Sequence, residues 1–403
     1  MAMIPRGALA LVCMGAACSR SALDEGANAG APSAVRQPAP TPCSAEPPPF
    51  ASFALPEELI PDALVASACG ELTVIGTRRR EPYRLPPPLW MLRFAADGER
   101  LFEIETLDPP GATFVETGVQ DRNGDYLVTG AVPRHLGGLL QIADGMLLAR
   151  LDATGAVRWH TEVLEGEARW GNGLAIALGP QGHVHVAGTM GGTTPCCAGW
   201  LGRFDSQGRL QWSFGRDASD AELSHLSVAA DGTVFAAGHT KENIWIVALE
   251  ADGRLRWEQE VSSPAPDSAR AFHTALDSRE PALLVAGLRS IGVGVSQPWI
   301  RKYALDGTVL WTDFGPERAA GGTARWLTMD DRGRVHVFGS EDLGPAFNAC
   351  SFWLRTLSTD GEPLHTRALE LACEPVYDLL FVRGSAILLL AEPPRIEVIP
   401  LDP

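Results

Sequence analysis

Gly199-Trp200-Leu201-Gly202-Arg203-Phe204-Asp205-Ser206-Gln207-Gly208-Arg209-Leu210-Gln211-Trp212 is the stretch that decides the fold. An aromatic residue is followed at once by an apolar one, and four positions on comes another. A glycine stands eight on, and a large ring four past the glycine. The register returns from Trp90 (Met91, Phe94, Gly98, Phe102) and from Leu147 (Leu148, Leu151, Gly155, Trp159). It returns again from Trp245 (Ile246, Leu249, Gly253, Trp257), Trp299 (Ile300, Tyr303, Gly307, Trp311) and Trp353 (Leu354, Leu357, Gly361, His365). Copies without slippage call for one small unit in a stacked or circular array. The repeated rings read as wedges between units, each contributing on the order of 1.5–3 kcal/mol by burial, rather than as ligand platforms.

A second pattern alternates with the first: a turn glycine, a strand, a closing glycine. Gly124 to Gly130, Gly182 to Gly188, Gly232 to Gly238 and Gly333 to Gly339 are clear copies; Gly70 to Gly76, Pro281 to Gly287 and Ser385 to Ala391 are looser ones. Short β-rich runs between Asp-Gly, Asn-Gly and Gln-Gly turns are hairpin strands. Their spacing of roughly 50–58 residues suits four strands per unit. This pattern has one more copy than the tryptophan pattern. The missing half lies at the C-terminus, where Glu397 to Asp402 overlays Leu147 to Asp152. The chain therefore begins mid-unit and ends on the complementary half, as a closed ring without exposed sheet edges requires. The expected fold is all-β, a seven-bladed β-propeller over 51–403 closed by N- and C-terminal strands sharing one blade, with eight blades as the competing count.

The N-terminus stands apart. Arg6 precedes the apolar run Ala8 to Ala17, a secretory signal (1–17) too short to span a bilayer. Small residues Gly15, Ala16 and Ala17 then precede Cys18. This order resembles a bacterial lipoprotein signal and implies lipidation of Cys18, although Gly15 stands where such signals carry Leu. The following Ala/Pro/Ser/Gly-rich segment, 18–50 with the lipidated cysteine, reads as a tether. Ser19 after the cysteine implies sorting to the outer membrane of a Gram-negative cell.

Net charge −16 and scattered arginines argue against nucleic-acid binding, which needs a basic stripe. The Arg78-Arg79-Arg80 triplet reads as a solvated turn after a strand. Cys43, Cys69, Cys196, Cys197, Cys350 and Cys373 permit disulfides in an exported protein, in several connectivities. Cys350 with Cys373, and Cys196 or Cys197, are the candidates. His183 and His185 alternate on one strand and His336 repeats the place of His185; two such histidines can bind a metal, but the equivalent positions Thr73, Leu127, Phe235, Leu284 and Leu388 mark a packing site. No cofactor is expected. Asp121 to Asp125 has some likeness to a calcium loop but reads as turn chemistry. Three irregular inter-blade segments, Leu107 to Glu116, Val132 to Asp144 and Thr189 to Gly199, form a candidate binding rim that includes Arg134, His135, Thr193 and Thr194.

The unit from Trp200 to Trp212, followed by Asp231-Gly232-Thr233-Val234-Phe235-Ala236-Ala237-Gly238-His239-Thr240, resembles the bacterial β-propeller repeat of the SBBP type over about 63–402. Members are commonly exported envelope proteins, so the resemblance implies location more than chemistry. Asp152 to Trp159 is also similar to the tryptophan-docking motif of quinoprotein propellers, which implies an oxidoreductase whose adjacent cysteines, here Cys196-Cys197, stack on a quinone. The functional expectation is a lipid-anchored, non-enzymatic binding or scaffold module for a protein or glycan at the cell envelope. The alternative is a lyase or quinoprotein-like propeller enzyme with its site at the central channel mouth.

Overall fold

In the computed structural model the described residues are 48–67, 69–78, 89–106, 114–136, 140–166, 168, 170–192, 197–216, 220–264, 269–277, 279–293, 295–316, 321–342, 350–371 and 375–401. They form seven antiparallel four-stranded sheets. Blades I to VI run in chain order over 59–106, 114–163, 170–216, 221–261, 270–313 and 323–369. Blade VII takes three strands from 376–400 and its outermost strand, Phe53–Ala54, from the other end of the domain. The first strand of each blade touches the first strand of the next, and that of blade VII returns to blade I. The seven inner strands are Leu59–Ala66, Phe114–Gln120, Trp170–Leu178, Ala221–Val228, Arg270–Asp277, Thr323–Met329 and Val376–Val382. The ring is thus closed, with seven blades rather than eight.

Closure is made by pairing across nearly the whole domain. Phe53 lies opposite Ile396 and Ala54 opposite Arg395. Leu55 N–H donates to the Pro394 carbonyl at 2.9 Å, and Val398 N–H donates to Ser52 Oγ at 2.9 Å. The overlay of Glu397 on Leu147 is displaced by two residues: Arg395, opposite Leu390, holds the tryptophan position. The closing position is Leu390, opposite Val376, not Ala391, and Ile387 rather than Leu388 is the counterpart of His185. The slip at the closing position comes from the missing closing glycine rather than from spacing, since Gly384 precedes Leu390 by the same six residues that separate Gly232 from Gly238. The slip at the tryptophan position reflects the short Glu392-Pro393 turn, which puts Arg395 five residues after Leu390 against seven from Gly238 to Trp245.

The hydrophobic core is distributed. Each of seven clusters joins one blade to its neighbour, as Leu201 and Ala187 of blade III do with Leu223, Ala236 and Trp245 of blade IV. Where the first position is a tryptophan, in blades I and III to VI, it packs backwards onto the preceding blade; Trp90, Trp245 and Trp299 are at most 1 % exposed. The second ring packs forwards. Trp212, Trp257 and Trp311 donate their indole N–H to Ala251, Leu305 and Thr359 carbonyls in the next blade, at 3.1, 2.8 and 2.9 Å. Those carbonyls belong to the turns carrying Gly253, Gly307 and Gly361. There φ is +87, +90 and +84°, and a Cβ would meet the docked indole at 2.7, 3.2 and 2.6 Å. Gly307 would also bring its Cβ within 2.9 Å of Gln259. The glycine eight residues after the first ring is therefore required twice, by backbone conformation and by the neighbouring blade's tryptophan.

The closing glycine has a different cause. Every inner strand carries a β-bulge just after the residue that opposes the closing position. The bulge pushes the strand's carbonyl towards its neighbour. A Cβ on Gly130, Gly188 or Gly238 would lie 1.8, 2.0 or 1.9 Å from the carbonyl oxygen of Phe114, Asn172 or Glu222. In blade VII the inner strand starts at Val376, at the bulge itself, and Leu390 fits.

Candidate functional site

The bulges determine what the central channel presents. The bulged residues are Asp62, Glu116, Leu174, Ser224, Phe272, Arg325 and Tyr377. All seven are half-buried or exposed, whereas the residue before each is buried. On an innermost strand, solvent access at mid-strand means access from the channel. The residues that follow the bulges are Ala63, Thr117, Ala175, His225, His273, Trp326 and Asp378.

Charge in these two layers is segregated around the ring. Blades VII, I and II supply Asp378, Asp62 and Glu116. Blades IV, V and VI supply His225, His273 and Arg325, and blade III separates the halves with Leu174 and Ala175. The Arg325 guanidinium lies over Phe272 at 5.5 Å and Trp326 at 5.3 Å, and burial lowers its pKa from the ordinary arginine value.

Asp378 closes the ring in the channel as Phe53–Ala54 does at the rim. Leu64 N–H of blade I donates to its Oδ2 at 2.8 Å, and Leu379 N–H to its Oδ1 at 2.8 Å. Burial nevertheless raises its pKa to about 7, outweighing those two bonds. His225 has the same relation to blade V: Thr274 N–H donates to its Nδ1 at 3.1 Å. The ring proton of the neutral imidazole therefore sits on Nε2. Thr274 Oγ1 is 2.9 Å from the same nitrogen and 2.8 Å from Ser227 Oγ. The His225 and His273 rings stack with centroids 3.8 Å apart. Burial lowers His225 to about 4; it lowers His273 well below the ordinary value, helped by repulsion from His225. Both imidazoles are neutral at pH 7, so Arg325 is the standing positive charge of these two layers.

The sequence-derived candidates fall in other places. His336 is buried against Asp330 Oδ2 (3.2 Å) and Thr356 Oγ1 (3.1 Å), a satisfied packing histidine. His185 is buried without a hydrogen-bond partner among the described residues and is lowered by burial to about 3, so it packs as a neutral ring. His183 precedes the strand Val184–Gly191 rather than sharing it. No group of three or more His, Cys, Asp or Glu is placed to hold a metal among the described residues. Asp121 caps its own turn, accepting from Asn123 N–H at 2.8 Å and Asp125 N–H at 3.0 Å. Its other oxygen contacts Arg150, and Asp125 is held by Arg150 and Arg158, so these carboxylates serve the turn. Arg78 is not a solvated turn residue; it ends a strand with its guanidinium 4.6 Å from the Trp90 ring, beside Glu105.

Of the rim segments, Val132 to Asp144 is not irregular. It is the end of a long hairpin within blade II, Tyr126–Leu136 with Leu140–Leu151, paired as far as Leu136 opposite Leu140. Arg134 and His135 lie on it, their side chains outside the described residues. Thr193, Thr194, Cys196, Cys373 and most of Leu107 to Glu116 also lie outside them, as do Cys18 and the tether as far as residue 47. Its last residue, Phe50, packs on the core between blades VII and I and so belongs to the domain. Cys350 opens a strand of blade VI, and Cys69 is disulfide-bonded. By strand direction, the long hairpin and the described ends of the other two rim segments, 114–116, 189–192 and 197–199, share one end of the ring.

The channel residues His225, His273, Arg325 and Asp378 escape a sequence reading based on the glycine strands. Their signal lies one strand earlier in each unit and emerges only when the inner strands are aligned on the bulge.

No protein-family model and no curated protein sequence matches this chain. Among solved structures, the extracellular domains 1–2 of Drosophila Semaphorin 1b align at TM-score 0.51 with 7 % identity, over 89 % of this chain and 88 % of that one. A protein of unknown function from Dyadobacter fermentans DSM 18053 aligns at TM-score 0.46 with 13 % identity, over 73 % of this chain and 94 % of the other. The likeness to the semaphorin domains is one of fold: this chain is a seven-bladed β-propeller.

Proposed function

We propose that this protein is an exported, lipid-anchored cell-envelope propeller of the bacterial repeat type that binds a partner, protein or glycan, without catalysis. The observation that carries the reading is the blade II hairpin, whose ladder runs on from Tyr126 opposite Leu151 to Leu136 opposite Leu140 and extends one end of the ring. Propellers concentrate recognition on such elaborated ends, because the loops vary while the blades hold their positions. The channel layers support binding over catalysis. They combine two neutral imidazoles with one standing cation and carboxylates on the facing half, an arrangement that orients a polar group; the one hydroxyl within reach of an imidazole nitrogen, Thr274 Oγ1 beside His225 Nδ1, is buried. The Cys69 disulfide and the signal-like Ala8 to Cys18 fit an oxidising compartment outside the cytoplasm.

Two measurements test the reading. Cross-linked capture from envelope extract should lose its specific partner when Pro133 to Ala143 is replaced by a two-residue turn. Retention of the same partner would contradict the hairpin's role. Cys18→Ala should move the protein from the membrane fraction to the soluble fraction; persistence at the membrane would remove the anchor.

A further inference from the structure

In the bulge layer of the channel one charged side chain has no polar partner in the fold. Blade III fills its place in that layer with Leu174 and blade V with Phe272, whereas blade VI brings Arg325. Glu116, the acidic member from blade II, accepts from Asn172 Nδ2 at 3.2 Å. The Arg325 guanidinium neither hydrogen-bonds nor ion-pairs with any described residue. Its contacts are the Phe272 ring at 5.5 Å and the Trp326 ring at 5.3 Å. Burial alone moves its pKa, with no contribution from a neighbouring charge.

The surroundings make that arrangement costly. Arg325 is the third residue of the inner strand Thr323–Met329, and its side chain is exposed. Exposure at mid-strand is to channel water, and the protein around that water still desolvates the charge. A cation kept there without a counter-charge is unfavourable. A leucine would avoid the cost, as Leu174 does in blade III. The ring contacts satisfy none of the five guanidinium N–H donors. Those donors stay available for an oxyanion taken by paired hydrogen bonds. The same two rings offer apolar area to whatever carries the oxyanion. His225 and His273 are neutral, so no second cation stands in these two layers, and Glu116 lies across the channel. One negative charge is matched there, and a second is repelled.

We propose that the channel at Arg325 binds a small organic monocarboxylate with a flat apolar body, the guanidinium on the carboxylate and Phe272 and Trp326 beside the body. The assignment rests on the non-catalytic reading of the channel layers, but not on the hairpin or the lipid anchor.

The test is calorimetric titration of the full chain with benzoate, benzyl alcohol and inorganic phosphate. Saturable binding of benzoate is expected. Arg325→Leu, which gives blade VI the residue type of blade III, and Arg325→Gln should each weaken it roughly tenfold or more. A melting curve shows that each variant is folded. Arg254→Gln, on an exposed turn of blade IV, should leave binding unchanged. Replacement of Pro133 to Ala143 by a two-residue turn should also leave it unchanged, so failure at the hairpin and failure in the channel are read separately. Absence of saturable binding, or binding that the Arg325 variants retain, overturns the proposal. Loss of binding in the hairpin variant would place the ligand there and overturn the channel assignment. Equal binding of benzyl alcohol overturns the anionic assignment, and phosphate bound as tightly as benzoate overturns the apolar body.

Discussion

Blades IV and VII share one frame and differ in what the sequence must supply. Blade IV is continuous, with Gly238 opposite Trp245, Gly253 in its turn, and Trp257 docked on the next blade. Blade VII places Leu390 opposite Arg395 and has no third-to-fourth turn at all, because its fourth strand arrives from Phe53–Ala54. The glycines and tryptophans are therefore not requirements of a four-stranded sheet. The closing glycine is needed where an inner strand runs on past its bulge, and the turn glycine where a neighbour's tryptophan docks. The first tryptophan fills the gap to the preceding blade. Blade VII presents Arg395 in that place and is held instead by the terminal strand and by Asp378.

The largest effect should separate the two blades at the tryptophan position. Trp245→Ala removes a fully buried ring and should cost roughly 3–5 kcal/mol. Arg395→Ala should cost less than about 1 kcal/mol. Urea denaturation measures both, and equal losses would break the distinction. Next comes the closing position. Gly238→Ala forces a Cβ to within 1.9 Å of the Glu222 carbonyl and should destabilise by roughly 3 kcal/mol. Leu390→Val should cost about 1 kcal/mol. A tolerated Gly238→Ala would remove the bulge as the cause.

A smaller, pH-dependent effect tests the channel side of ring closure. Asp378 is raised to about 7 from an unfolded value near 3.8. The folded state therefore holds its proton more tightly, and the stability this confers is present at low pH and lost as pH rises through 7. His225, lowered to about 4, contributes in the opposite direction: its share is present above 6.5 and lost as pH falls through 4. Asp378→Asn removes only the first contribution. Relative to the parent, its urea midpoint should be more favourable at pH 8 than at pH 5. A difference independent of pH would mean that Asp378 titrates normally.

The fold was legible because its requirements recur: one glycine and one ring in the same places, copy after copy. The blade VII register was not legible at residue level because Leu390 and Arg395 stand where the other blades carry the glycine and the ring that mark it, although Gly384 keeps the usual six-residue spacing to the closing position. The channel residues were hidden for a related reason. They sit at a bulge, as Arg325 does, or just after one, and the bulge shifts side chains by one position and defeats strict alternation. The Val132 to Asp144 segment looked like a loop because of Pro133 and the Gly137-Gly138 pair, yet the ladder continues to Leu136 opposite Leu140.

The most direct test of the account is a cross-strand disulfide at the closure. Ala54→Cys/Arg395→Cys joins a directly opposed pair between the outermost strand and its neighbour, and Ala54→Cys/Glu397→Cys shifts one partner by two residues. Peptide mapping after mild oxidation should find the 54–395 bond in high yield, with a melting temperature raised relative to the reduced protein, and little of the 54–397 bond. Preferential 54–397 bonding, or none at either pair, would contradict a seven-bladed ring closed in this register.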